Sequence, residues 1–310
     1  MILGYLCLLI FGFVMLVKGA DWFVDGAVGL AVRFGIPQLV IGLTIVAMGT
    51  SLPEAAVSIT AALKGNAGIT IGNVLGSNIL NVLIILGITA VIVPVAIQKT
   101  TLLFEIPFML VISGVFLVMG MTGQAVNRME GVILWVFFAA YLAYLFFLAR
   151  QPGNEEEGEK AEMPVWKCLL FILAGGVMIV LGSDFSVDGA SALARSFGVS
   201  ERFIGLTIVA LGTSLPELVT SVTAARKGSA DIAIGNIVGS NIFNILFVAG
   251  TSALICKVPF ADSFRIDGLV AILGGVLLWL GSVRHKELRR SGGVVMLLAY
   301  GVYFAYLCQG

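Results

Sequence analysis

The sequence predicts an all-α membrane protein of ten transmembrane helices, built as two inverted-topology repeats of five. Three observations carry that prediction. Of the 310 residues, 59% are hydrophobic and 12% charged, where a soluble domain carries about 25% charge; mean hydropathy is +1.07. Many apolar runs are long enough to cross a bilayer, which takes roughly 20 helical residues. The chain also repeats itself. Residues 44–87 and 207–250 share 28 identities in 44 positions at a constant offset of 163, with no gap.

In chain order, apolar runs fall near 2–32, 38–63, 69–95, 102–120 and 130–148. They recur near 165–195, 201–226, 232–258, 265–283 and 293–308. Strands are excluded, because open sheet edges stay unsatisfied in lipid and the runs are too long for barrel strands. An odd number of spans per repeat makes the second repeat insert upside down, which puts a binding site at the repeat interface near the midplane. The expected division is a first repeat at 1–148, a polar linker at 149–163 and a second repeat at 164–310, forming one transport domain. The linker is acidic and broken by Gly and Pro, so it reads as solvated. Residues 1–17 could pass for a signal peptide. However, Leu16 to Ala27 has its counterpart in Ile179 to Ala190, deep in the chain, so the segment reads as a retained helix.

Lys and Arg near the helix ends are unequally shared. One face receives 11, namely Arg33, Lys99, Arg150, Lys160, Lys167, Arg226, Lys227, Arg284, Lys286, Arg289 and Arg290. The other receives 6: Lys64, Arg128, Arg195, Arg202, Lys257 and Arg265. The expectation is a multi-pass protein of the cell membrane, with the linker cytoplasmic and both termini outside. Zero net charge suggests no nucleic-acid partner. Cys7, Cys168, Cys256 and Cys308 lack zinc spacing and read as small buried hydrophobes. The only histidine, His285, lies in a basic loop, which excludes a histidine metal site.

Each copy of the repeat sets a carboxylate beside a proline inside an apolar run: Gly49-Thr-Ser-Leu-Pro-Glu54 and Gly212-Thr-Ser-Leu-Pro-Glu217. A charge there is costly and marks a functional site. Ala47, Thr50, Ser51, Glu54 and Ser58 share one helical face by their spacings of three and four. Pro53 has no N–H for the carbonyl of Gly49, so the helix should break before Glu54 and free carbonyls near 47–50. Asn73, Ser77 and Asn81 form a stripe on the next helix, with Gly72 and Gly76 allowing close approach. The second repeat supplies Ala210, Thr213, Ser214, Glu217, Ser221, Asn236, Ser240 and Asn244. Only oxygen donors converge, with two charges, which suits Ca²⁺ or Na⁺ and disfavours zinc and copper. A lone Ser or Thr in a membrane helix usually bonds its own backbone, and a lone Pro is often only a kink. The duplicated Glu is what favours an ion site. Asp21, Asp25, Asp184 and Asp188 read as lying near helix ends, and Glu105 and Glu130 as interfacial.

These motifs, each followed by Gly-Asn-x-x-Gly-Ser-Asn-Ile-x-Asn, resemble the paired alpha-repeats of the cation/calcium exchanger superfamily, nearest to a prokaryotic sodium/calcium exchanger. The resemblance implies that Glu54 and Glu217 ligate calcium with the Thr50 and Thr213 carbonyls. It further implies that Ser51, Ser77, Asn81, Ser214, Ser240 and Asn244, with the Ala47 and Ala210 carbonyls, complete the sodium and calcium sites. It also implies that the first and sixth helices slide across a fixed core. Many relatives carry Asp at one or both of the positions of Asn81 and Asn244, including potassium-cotransporting ones, so potassium dependence is not expected.

The function that follows is antiport of Ca²⁺ out against Na⁺ in, with no cofactor and no enzymatic activity. The expected partners are inorganic cations and lipid, and one copy is expected to suffice for transport. Coupling to H⁺ is the nearest alternative, since burial disfavours the charged form of a carboxylate and lets it carry protons as well as metal. A cation channel would repeat its selectivity ring across subunits. An intramembrane hydrolase using Ser51 or Ser214 lacks a base and a Gly-x-Ser-x-Gly elbow.

Overall fold

The structure, a computed structural model, describes residues 2–150, 163–198 and 210–308. The first repeat comprises α1 (Ile2–Phe34), α2 (Gln38–Thr50), α3 (Leu52–Leu63), α4 (Gly68–Ile92), α5 (Thr101–Gly123) and α6 (Arg128–Ala149). The second comprises α7 (Val165–Ser196), α8 (Ala210–Thr213), α9 (Leu215–Arg226), α10 (Ala230–Ile255), α11 (Phe264–Val283) and α12 (Arg290–Leu307). Among the described residues, 8 helices are long and apolar enough to span a membrane, and α2 with α3 makes a ninth span bent by 51°. The pair α8–α9 repeats that break at Ser214; the start of the expected run 201–226 lies outside the described residues, as does most of the linker.

Two short ladders reveal the inversion. Strand β1 (Val95–Ala96) pairs antiparallel with β4 (Glu287–Leu288), and β2 (Ala125–Val126) pairs with β3 (Val258–Pro259). Shifting β1 by 163 gives β3, and shifting β2 by 163 lands one residue past β4, so the ladders are images of each other to within one residue. They lie at opposite ends of α5, as a twofold axis in the membrane plane requires. The β1–β4 end carries the linker connections, and the β2–β3 end carries the chain termini. These are called the linker end and the termini end below.

Burial sorts the helices into layers. Of the spanning window of α10, 94% is buried, and of α4, 72%, against 17% for α1 and for α12. The outer helices expose large apolar side chains such as Phe11, Val136, Phe147, Leu173 and Val302, the surface a hydrocarbon solvent demands. Central helices α4 and α10 each contain a widened turn with i→i+5 bonding, at Leu80–Leu86 and Asn244–Ala249. Such π turns favour functional sites, and both take in or abut the motif asparagines.

Helices α1 and α7 form an antiparallel pair along their whole length. Glycines recur every seventh residue, at 12, 19 and 26 and at 175, 182 and 189, and they face the partner's backbone. A Cβ on Gly175 would stand 2.6 Å from the Gly19 carbonyl oxygen, and one on Gly182 2.7 Å from the Leu16 nitrogen. Close backbone approach at small residues is how helices associate in lipid, where no hydrophobic drive separates protein from solvent.

Three expectations need correction. Asp21 and Asp25 lie well inside α1, and Asp184 and Asp188 well inside α7, so none is terminal. Glu105 is buried, and its carboxylate accepts a hydrogen bond from the Tyr144 hydroxyl of α6; a polar partner on a neighbouring helix allows that depth. Cys7 and Cys308 are exposed on the apolar surface, while Cys168 is buried and Cys256 half-buried. Glu130 does sit at a helix start: it accepts from the Asn127 N–H at 2.7 Å and closes a capping box on α6.

Candidate ion-binding site

The break between α2 and α3 falls at Ser51, whose backbone (φ −86°, ψ 8°) leaves the helical region. Pro53 occupies the first turn of α3, where its missing N–H costs nothing. Glu54 therefore stands at the start of a helix, where free N–H groups and the helix dipole favour a negative charge. Glu217 stands in the same place on α9. Both carboxylates are 1% exposed and near enough to repel each other. Neither is in a salt bridge among the described residues, and buried like charges are unfavourable unless a cation joins them.

Hydrogen bonds around the pair follow the repeat. Asn73 Nδ2 donates to the Glu54 carbonyl at 3.0 Å and to Ser58 Oγ at 2.8 Å. In the second repeat, Asn236 Nδ2 donates to the Glu217 carbonyl at 3.4 Å and to Ser221 Oγ at 2.9 Å. Each asparagine thus ties its central helix to the first turn of the helix carrying the glutamate.

Asn78 and Asn241 hold the two central helices together. Each donates its amide to the other's backbone carbonyl at 3.2 Å. Their side-chain oxygens accept in turn, Asn241 Oδ1 from Asn81 Nδ2 at 3.0 Å and Asn78 Oδ1 from Asn244 Nδ2 at 3.2 Å. That ring consumes the donor ends of Asn81 and Asn244, and leaves the side-chain oxygen of each buried without a donor. Asn78 and Asn241 are not among the residues that the spacing singles out, although the duplicated Ser-Asn-Ile-x-Asn contains them. They fall off the stripe of Asn73, Ser77 and Asn81, and only the fold shows that this side of α4 meets α10.

The remaining contacts are asymmetric. Ser51 Oγ donates to Glu217 Oε1 at 2.9 Å, Thr50 Oγ1 to Asn236 Oδ1 at 3.0 Å, and Ser240 Oγ to the Ala47 carbonyl at 3.3 Å. The Ala47 carbonyl also accepts the Ser51 N–H at 3.1 Å. On the mirror side, Ser214 Oγ and both oxygens of Glu54 have no hydrogen-bond partner. Ser77 is buried on α4, and Ala210 and Thr213 bound α8.

The unpaired acceptors decide what the arrangement can do. Glu54 Oε1 and Oε2, Glu217 Oε2, Asn81 Oδ1 and Asn244 Oδ1 are all buried with no donor. Helices α3, α4, α9 and α10, which contribute them, pack on one another at the centre of the bundle. An orphaned buried acceptor costs about 1–3 kcal/mol, more when charged, and five together ask for a cation. No group of three His, Cys, Asp or Glu occurs among the described residues, so the charge rests on two carboxylates and the rest of the shell on neutral oxygens. That donor set fits a hard cation. Beside it a cavity of ≈ 250 Å³ is lined by Pro53, Val180, Ser183, Asp184, Val187, Asp188, Gly212 and Thr213.

Comparison with known proteins identifies the family. The family model described as "Sodium/calcium exchanger protein" matches twice, over residues 4–147 and 167–309. The chain is 38% identical to the inner membrane protein YrbG of Escherichia coli, over 97% of this chain and 95% of that protein. It is 32% identical to the sodium/calcium exchanger MaX1 of Methanosarcina acetivorans, over 97% of each. The solved structure of the sodium-calcium exchanger NCX_Mj superposes with a TM-score of 0.86 at 31% identity, over 98% of this chain and 99% of that one. With the fold, the duplicated carboxylate motif and both family matches in agreement, the chain belongs to the sodium/calcium exchanger family of membrane cation/calcium antiporters, and it is a transporter rather than an enzyme.

Proposed function

We propose that this protein moves Ca²⁺ out of the cell in exchange for Na⁺ by alternating access, with the ions held between Glu54 and Glu217. The observation that carries this reading is the set of five buried acceptor oxygens without donors, drawn from both repeats. Two ionised glutamates give the site a charge of −2, which one Ca²⁺ or two Na⁺ neutralise. In a low-dielectric site either load is acceptable and a mixed excess is not, which is the basis of exchange. Asn81 and Asn244 add oxygen without charge or a titratable proton, so they favour Na⁺ over H⁺ as the counter-ion. The ligand shell also draws on Ser51, Ser77, Ser214, Ser240 and the carbonyls of Ala47, Thr50, Ala210 and Thr213. One chain contains both halves of the site, so a monomer suffices. The excess of Lys and Arg at the linker end puts that end in the cytoplasm and both termini outside.

In proteoliposomes at equal pH, an imposed Na⁺ gradient drives Ca²⁺ uphill and K⁺ is dispensable. Full Ca²⁺ exchange driven by a pH gradient with Na⁺ absent would instead make the coupling ion a proton. The asparagine ring makes a second prediction. Asn78→Ala or Asn241→Ala removes the acceptor that orients the amide of Asn244 or Asn81, so that amide can turn its N–H toward the ion. Losing one oriented ligand of this kind costs about 1–2 kcal/mol. Ca²⁺ affinity in equilibrium binding should fall roughly tenfold while the protein stays folded.

A further inference from the structure

Each repeat ends its glutamate-bearing helix with the same lysine. Lys64 closes α3 and Lys227 closes α9, each followed by a glycine at positive φ, Gly65 at 76° and Gly228 at 82°. The capping bonds match as well: Asn66 N–H to the Ala61 carbonyl at 2.8 Å, and Ser229 N–H to the Ala224 carbonyl at 2.9 Å. Such an ending fixes where the lysine leaves the helix. The long outer helices carry matching acidic pairs, Asp21 and Asp25 on α1 and Asp184 and Asp188 on α7, again offset by 163.

In this conformation only one of the two sets is joined. Lys227 Nζ lies 2.7 Å from Asp25 Oδ1 and 3.4 Å from Asp21 Oδ1, and it donates to the Asp21 carbonyl at 2.9 Å. Helix α1 accordingly packs against α9, which runs from Glu217 to the linker end. The mirror contact is open. Lys64, Asp184 and Asp188 are exposed, none of them is in a salt bridge among the described residues, and both aspartates line the cavity that reaches Pro53 and Thr213. The asymmetry inside the site has the same sense: Ser51 is bonded to Glu217, and Ser214 is unbonded.

We propose that Lys227 with Asp21 and Asp25, and Lys64 with Asp184 and Asp188, are mirror-related latches that close alternately. The first shuts the ion path at the linker end in the present conformation, and the second shuts it at the termini end in the opposite one. This rests on the alternating-access reading above. The α1–α7 pair is glycine-packed into one unit, so a shift that releases α1 from α9 carries α7 toward α3. Each latch joins the moving pair to the lysine at the end of a helix whose first turn holds an ion-site carboxylate. The latches are positioning groups, since none of their charges belongs to the ligand shell. Lys18 adds to the linker-end latch, 4.0 Å from Asp21; its counterpart is Leu181, so the two states need not be equally populated.

The test uses the full chain in membranes, with its four cysteines replaced and Val187→Cys placed in the cavity wall. The readout is its rate of modification by a membrane-impermeant thiosulfonate. Lys227→Gln releases the linker-end latch and should slow labelling several-fold, while Lys64→Gln disfavours the opposite state and should leave labelling as fast or faster. The exchanged pair Lys227→Asp with Asp25→Lys should restore the parent rate. Equal effects of the two lysine changes, no effect of Lys227→Gln, or no restoration by the exchanged pair would overturn the proposal. Cross-linking adds an independent check: Lys64→Cys with Asp188→Cys should join several-fold faster when Lys227→Gln is also present, and an unchanged rate counts against the latches. Ca²⁺ flux of the parent in the same vesicles is recorded separately, so a failure of exchange is distinguished from a failure of the latches.

Discussion

Glu54→Gln or Glu217→Gln should each reduce Ca²⁺ exchange to background. The substitution keeps size and a carbonyl oxygen and removes one of only two formal charges in the candidate site. At an effective dielectric of 20, two unit charges 4 Å apart interact by about 4 kcal/mol, so a divalent ion loses roughly 8. Relief of the repulsion between the two glutamates returns part of this. A net loss of several kcal/mol is on the order of a thousandfold or more in affinity. Na⁺ loses half as much per carboxylate, so Na⁺ binding should outlast Ca²⁺ binding in both variants. Exchange near the parent rate in either one would show that the charge pair does not hold calcium. Both residues are buried and neither is in a salt bridge among the described residues, so neutralising one should not unfold the chain, and thermal stability of the purified variants checks this.

Gly175→Leu and Gly182→Leu should prevent stable folding. A side chain at Gly175 meets the Gly19 carbonyl at 2.6 Å and the Phe23 nitrogen at 2.6 Å, and at Gly182 the Leu16 nitrogen at 2.7 Å. These neighbours are backbone atoms, which no change of rotamer removes. Overpacking a core already costs about 1–3 kcal/mol where side chains can give, and here the whole α1–α7 pair has to separate. The expected result is little monodisperse protein, or a midpoint of thermal unfolding lowered by 10 °C or more (roughly 2–4 °C per kcal/mol). Gly4→Leu and Gly301→Leu, whose added Cβ would meet nothing within 4 Å, should stay within about 2 °C of the parent. A folded, active Gly175→Leu protein would contradict the seam.

The sequence announced the site more fully than it announced what supports it. A charge inside an apolar run is expensive, so Glu54 and Glu217 are visible without any structure, and Pro53 marks the helix break beside them. Periodicity then gathers Ser51, Ser58, Asn73, Ser77 and Asn81 onto helical faces. It cannot say which helix lies opposite. The exchange between Asn78 and Asn241, the bond from Ser51 to Glu217 and the ion pair of Lys227 with Asp25 all join residues more than 160 positions apart. The depth of Glu105 is invisible in the sequence for the same reason, since Tyr144 on another helix makes it tolerable. The glycine seam was legible in principle: Gly12, Gly19 and Gly26 recur every seven residues and again 163 later.

One divalent ion is expected to be shared by the two repeats at Glu54 and Glu217. Strontium scatters X-rays anomalously and takes oxygen ligands as calcium does, so crystals of the chain grown with Sr²⁺ at low Na⁺ locate the ion directly. The expected result is a single strong anomalous peak bonded to both carboxylates, at about 2.3–2.6 Å for a calcium-like ion or slightly longer, and its loss from crystals of Glu54→Gln. A peak bonded to only one glutamate, or one lying in the outer cavity against Asp184 and Asp188 with none between Glu54 and Glu217, would contradict it.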